Sequence, residues 1–179
     1  MRKIYIIGSI HGGYTPHLEL EEVLRNIQPD QALVELSHKP NEDTAEKDSF
    51  RSEMLFAYNW AEENGIKVEI FDVDDDHVYF NEGYGPKSSE YRKLHKEQEE
   101  IIKKYTWKQF NRREFNELLD HPLLEIIFSK EQEEIREAKM IQNIKRKMIS
   151  EGRVVIISGA GHLKYFADSL PNTFVPLNS

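Results

Sequence analysis

The sequence predicts an α/β fold: a parallel sheet of four or five strands with flanking helices and a helical insertion over about residues 88–150. Three observations carry this. Residues 3–7, 31–36, 67–71 and 153–158 are short, largely apolar runs without regular polar alternation, the pattern of strands covered on both faces. The first two flank a helical stripe, so strand, helix and strand fit within about thirty residues, the length of a βαβ unit with parallel strands. Residues 88–150 show helical spacing and repeated helix-start signals but no such strand run.

Taken in order, residues 3–7 form the first strand and residues 8–13 its turn. Thr15-Pro16 opens a helix, with Thr as cap and Pro at the first helical position. Its apolar stripe is Leu18, Leu20, Val23, Leu24 and Ile27, and Pro29-Asp30 ends it. The second strand, 31–36, closes on Val34-Glu35-Leu36. After a polar stretch, a helix with a capping box at Asp43 and Glu46 runs to Asn64-Gly65 on the face Phe50, Met54, Ala57, Tyr58 and Ala61. The third strand, 67–71, runs into Asp72, and Asp74 to Asp76 read as a solvated acidic loop. Residues 79–89, with Gly83, Tyr84, Gly85 and Pro86, read as a lid over the strand ends.

The helical insertion begins with a helix from 89 to about 104. Thr106 with Gln109 opens another, His121-Pro122 marks a break, and Ser129 with Gln132 caps the last, which runs to about 150 and is ended by Gly152. Residues 153–158 are the fourth strand, 159–162 its turn, 163–169 a short helix and 173–177 an edge strand. The whole reads as one domain of 179 residues.

Composition narrows the chemistry. There is no cysteine, which excludes disulfides, thiol catalysis and thiolate metal ligands. The net charge is −8, and residues 1–80 hold 7 Lys/Arg against 17 Asp/Glu, so no basic face for nucleic acid is expected. No apolar run reaches the ~18–20 residues of a membrane span, and the N-terminus lacks a signal-peptide core, so the expected location is cytoplasmic. The partners left are a small-molecule or peptide ligand and a second copy of the chain in a homo-oligomer.

One motif occurs twice. Gly8-Ser9-Ile10-His11 follows the first strand, and Gly159-Ala160-Gly161-His162 follows the fourth. Ligands in open parallel sheets bind beyond the carboxyl ends of the strands, so His11, Glu35, Asp72 and His162 are expected on one rim. Arg136-Glu137 lies on the helix leading into the fourth strand. Two histidines and a carboxylate from separate elements suit a divalent metal such as Mn, Co or Zn, which makes His11, Glu35 and His162 candidate ligands. Without a metal, one histidine oriented by Glu35 acts as general base on water, and the other histidine or Arg136 stabilises the developing charge. His11, Glu35, Arg136 and His162 are thus the candidate catalytic set, with Ser9, Asp72 and Tyr84 as candidate substrate contacts. The plainer alternative is that the glycines make turns and the histidines cap helices.

Strand-Gly-Ser-x-His at the start, a strand ending in Val34-Glu35, Arg136 with Met140 four residues on, and Val154–Ile157 closed by Gly-Ala-Gly-His form a pattern. It resembles the TraB/PrgY/Tiki group and, more distantly, erythromycin esterase and ChaN-like proteins. The resemblance covers 3–36, 66–72 and 136–163, and its site residues fall on His11, Glu35, Arg136 and His162. Members are described as metal-dependent proteases, as esterases or as peptide-pheromone regulators. The resemblance therefore implies a hydrolase of peptide or ester bonds. The alternative is a non-catalytic binding or regulatory protein that sequesters a peptide or small ligand at the same site. The chain departs from the pattern at Ser9, where Thr is more usual, and at Lys164-Tyr165, where glycine is expected nearby.

Overall fold

A computed structural model describes residues 1–40, 51–73 and 80–176. Five strands form one sheet: β1 (Arg2–Ser9), β2 (Gln31–Val34), β3 (Lys67–Ile70), β4 (Gly152–Gly159) and β5 (Thr173–Phe174). All are parallel, in the order β3-β2-β4-β1-β5. Seven helices flank it: α1 (His17–Ile27), α2 (Ser52–Glu63), α3 (Ser89–Ile102), α4 (Arg113–Asn116), α5 (Pro122–Ile127), α6 (Lys130–Lys147) and α7 (Leu163–Ser169). Right-handed crossovers place α1 and α2 on one face and α6 and α7 on the other. In agreement, α1 packs on α2 and α6 on α7.

The sheet is doubly wound, and its order positions the site. From β1 the chain passes over β4 to reach β2, whereas from β4 it passes over β1 to reach β5. The connections leave β1 and β4 in opposite directions, which opens a crevice between their carboxyl ends. Both Gly-x-x-His turns lie there. The register pairs Gly8 with Ser158 and Ser9 with Gly159, so the two turns start side by side.

The core is the unalternating apolar content of these strands: Ile4, Ile6 and Ile7 of β1, Leu33 and Val34 of β2, and Val154 to Ile157 of β4 are all buried. From α1, Leu20, Val23, Leu24 and Ile27 face it, but Leu18 is 80% exposed. At 100° per residue, Leu18 sits about 200° round the helix from Leu20, so it cannot share that face. Thr15 does not cap α1. Its hydroxyl accepts from Ile10 N at 2.8 Å and donates to Ile10 O at 3.1 Å, closing the turn after β1. Within that turn Gly12 and Gly13 have φ of 77° and 84°, a region costly for residues with a Cβ.

The Asn64-Gly65 stop and the His121-Pro122 break occur as expected, and His121 Nδ1 caps α5. The Thr106–Gln109 contact forms, with Gln109 Oε1 accepting from Thr106 N at 2.8 Å. Only one 3-10 turn, Gln109–Asn111, follows it, and Arg112 is extended. Helix α6 ends at Lys147, and Gly152 opens β4 with φ 95°. The box at Asp43 and Glu46, Phe50, Asp74 to Asp76 and Tyr79 lie outside the described residues. Among those described, no helix is long and apolar enough to cross a membrane.

The segment expected as a lid is fastened along its described part. Phe80 bridges Phe128 and stacks on it at 5.2 Å, and Asn81 N donates to Ile127 O at 2.8 Å. Ser88 then caps α3 by accepting from Tyr91 N.

Candidate active site at the crevice between β1 and β4

The crevice opens into a cleft of about 1060 Å³, with Ser9, His11, Gly159 and His162 on the sheet side and α3 opposite. The histidines of the two Gly-x-x-His turns are each held through Nδ1 by a glutamate from a different helix. His11 Nδ1 lies 2.5 Å from Glu53 Oε1, and His162 Nδ1 lies 2.8 Å from Glu137 Oε1. The expected orienting role of Glu35 is therefore taken by Glu53 and Glu137.

His11 is held by its surroundings on two sides. Glu53 is fully buried in the first turn of α2, where an acid suits the helix dipole, and it also accepts from Ser9 Oγ at 3.1 Å. The Ser9 hydroxyl proton is thus directed at Glu53. On the far side, His11 Nε2 stands beside Gly159: a Cβ there would lie 3.2 Å from it. The side chain of His11 is 23% exposed. With Nδ1 on Glu53, Nε2 is the ring nitrogen beside Gly159 at the cleft.

Glu35, 2% exposed, is a structural tie. Its Oε2 accepts from Gly159 N at 2.8 Å, and its Oε1 accepts from Arg136 Nη2 at 3.2 Å. Arg136 in turn forks onto Asp72, with Nε to Oδ1 at 3.1 Å and Nη2 to Oδ2 at 2.7 Å, and Arg51 joins Asp72 at 3.1 Å. These guanidinium contacts, helped by the Val73 amide, outweigh burial and hold the Asp72 carboxyl below its usual pKa. Arg136, Glu35 and Asp72 brace the turn after β4 from beneath and do not line the cleft. Arg136 and Asp72 thus join Glu35 and Arg51 in one charge network beside the turn after β4.

His162 is 11% exposed, its ring stacked on Phe166. Nε2 faces Glu35 Oε1 at 3.8 Å and Arg136 Nη1 at 3.4 Å. Burial disfavours its cation, but the Glu35 charge and the Glu137 hydrogen bond prevail over it and over Arg136, so its pKa is raised. Both ring nitrogens of His162 face protein groups.

The predicted metal set divides. A divalent ion between Glu35 and His162 would meet the Arg136 guanidinium, whose nitrogens lie 3.2 and 3.4 Å from those two groups, so like charges oppose it. Among the described residues, the His/Asp/Glu group whose ligand atoms all lie within 4.8 Å is Glu133, Glu137 and His162. That group could hold a metal ion, and imidazole with carboxylates suits Mn, Co or Zn.

Tyr84 lines a separate shallow depression made by residues 83–88, and of these Pro86 also borders the main cleft. Two contributors escaped the sequence reading. Glu53 heads a stripe with Ala57 and Ala61 at spacing four, so a carboxylate on a buried helix face was the available signal. Asn111 left no signal. Its Oδ1 accepts from Gly8 N at 2.7 Å and its Nδ2 donates to Gly8 O at 2.8 Å, filling the edge of β1 where β5 has stopped.

Compared with protein-family models, with curated proteins and with solved structures, the chain matches none. The TraB/PrgY/Tiki resemblance rests on the residues quoted for it.

Proposed function

We propose that the protein is a hydrolase that cleaves a peptide or ester bond in the cleft, with His11 as general base. The observation that supports this best is the His11–Glu53 pair at 2.5 Å, which places a histidine of fixed tautomer at a cleft mouth beside a glycine turn. Nε2 of His11 takes a proton from water as the oxygen adds to the carbonyl carbon. When the C–O or C–N bond breaks, that proton passes to the leaving oxygen or nitrogen. His162, which lines the same cleft, stabilises the developing oxyanion. Arg136, Asp72 and Glu35 keep the Gly159 turn in place. A divalent ion bound by Glu133, Glu137 and His162 would polarise a carbonyl from the same side.

The second reading is a non-catalytic protein that sequesters a peptide or small ligand in the cleft. One observation favours it: both oxygens of Glu35 and both nitrogens of His162 face protein groups. Assays on a panel of generic esters and peptides, with the native chain and His11→Ala, separate the two. Hydrolysis that falls about 100-fold or more in a folded His11→Ala supports the first. Ligand binding without turnover by the native chain, or full activity in the variant, sinks it.

A further inference from the structure

We propose that the ligand of this cleft carries an anionic group, a carboxylate or a phosphate, received by Arg92 and Lys96 on α3. This rests on the hydrolase reading and names its class of substrate.

The lysines and arginine of α3 and its C-cap fall into two sets. Lys93 pairs with Glu97 at 4.0 Å and Lys103 with Glu99 at 2.7 Å, each four positions away, and neither lysine lines the cleft. Arg92 and Lys96 do line it, and among the described residues neither forms an ion pair. They are themselves four apart, so two like charges stand side by side one turn apart, an arrangement that weakens a helix. Arg92 Nη1 donates to Lys87 O at 2.6 Å, which fixes the guanidinium without neutralising it.

Among the described residues, no acid of the cleft forms an ion pair with Arg92 or Lys96. Glu99 is held by Lys103 and by Tyr14, whose hydroxyl donates to it at 3.1 Å. Glu133 is gathered with Glu137 around His162 on the sheet side. Asp120 is the third acid at the cleft. Ile102, Leu119 and Leu124 also line the cleft, so an apolar body fits against them while a charged end meets Arg92 and Lys96. A guanidinium and an ammonium one helical turn apart can both bond the oxygens of a carboxylate or phosphate, the first as a fork and the second as a point charge.

The test measures binding of hexanoate, hexyl phosphate and the neutral hexanamide to the full chain by calorimetry at low salt. The native protein should prefer an anion over hexanamide by roughly five- to tenfold, the scale of one or two exposed ion contacts. The tighter of the two anions assigns the group. R92Q/K96Q, shown to be folded by circular dichroism, should bring the preference to within about twofold, and added salt should do the same in the native chain. Equal affinity for all three probes, including no binding of any, overturns the proposal. So does a preference that survives in R92Q/K96Q. Ester turnover is measured on the same samples: preference without turnover overturns the hydrolase reading alone, and turnover without preference overturns this proposal alone.

Discussion

His11 Nδ1 and Glu53 Oε1 stand 2.5 Å apart although the two residues are 42 positions apart in the chain. Glu53 is fully buried, and its Oε2 has no hydrogen-bond partner among the described residues. A buried carboxylate with an unanswered oxygen is costly, so its pairing with His11 is held against a desolvation penalty. Glu53→Gln keeps the shape but removes the charge and permits the wrong tautomer. Its kcat should fall roughly tenfold or more, with KM little changed, by analogy with the carboxylate of a catalytic triad. An unchanged kcat would detach Glu53 from the chemistry.

Arg136 is expected to matter for stability before activity. Arg136→Met leaves Glu35 and Asp72, which are 2% and 3% exposed at the side chain, without their shared cation. Removing one partner of a buried charge cluster costs about 3–5 kcal/mol, which urea unfolding would register. A loss under about 1 kcal/mol would show that the network does not brace the fold.

Asp72 gives a pH test with a definite sign. Its folded pKa lies below the ordinary value of 3.8, so its contribution is full above that value and is lost as pH falls through the folded pKa. Thermal melts of the native chain should therefore decline below about pH 4 more steeply than those of Asp72→Asn. Parallel curves for the two proteins would contradict this.

Gly159→Ala probes geometry alone. The backbone there has φ −58° and accepts alanine, yet the added Cβ would stand 3.2 Å from His11 Nε2 and 3.8 Å from Glu35 Oε2. His11 must shift by a few tenths of an ångström. Turnover should drop several-fold while the melting temperature stays nearly constant, since small displacements at a reacting centre outweigh their effect on packing. A large fall in stability with normal kcat would reverse the assignment.

Much of this was legible because parallel strands announce themselves. The unalternating runs gave β1 to β4 within a few residues, and the repeated Gly-x-x-His placed His11 and His162 at adjacent strand ends. Glu35 was legible as a carboxylate at an apolar strand end, although its partners were not. Glu137 was in view beside Arg136 and Glu53 on the buried stripe of α2, but their histidine partners, 25 and 42 positions away, were not. The stretch after Thr106 misled for a different reason: it forms a short 3-10 turn whose Asn111 side chain bonds Gly8, a contact spanning 103 positions. Local periodicity carries no trace of such a partner.

The position of β4 bears on how the chain acquires this shape. The strand made fourth lies between the first and the second, pairing with β1 along its whole length and with all of β2. While a ribosome has released only the residues through α6, β1 and β2 have no common neighbour and their apolar edges stand open. The sheet closes only after residues 152–159 have emerged, so folding waits for a long-range insertion, and a stalled or truncated chain lacking them exposes pairing edges to its neighbours.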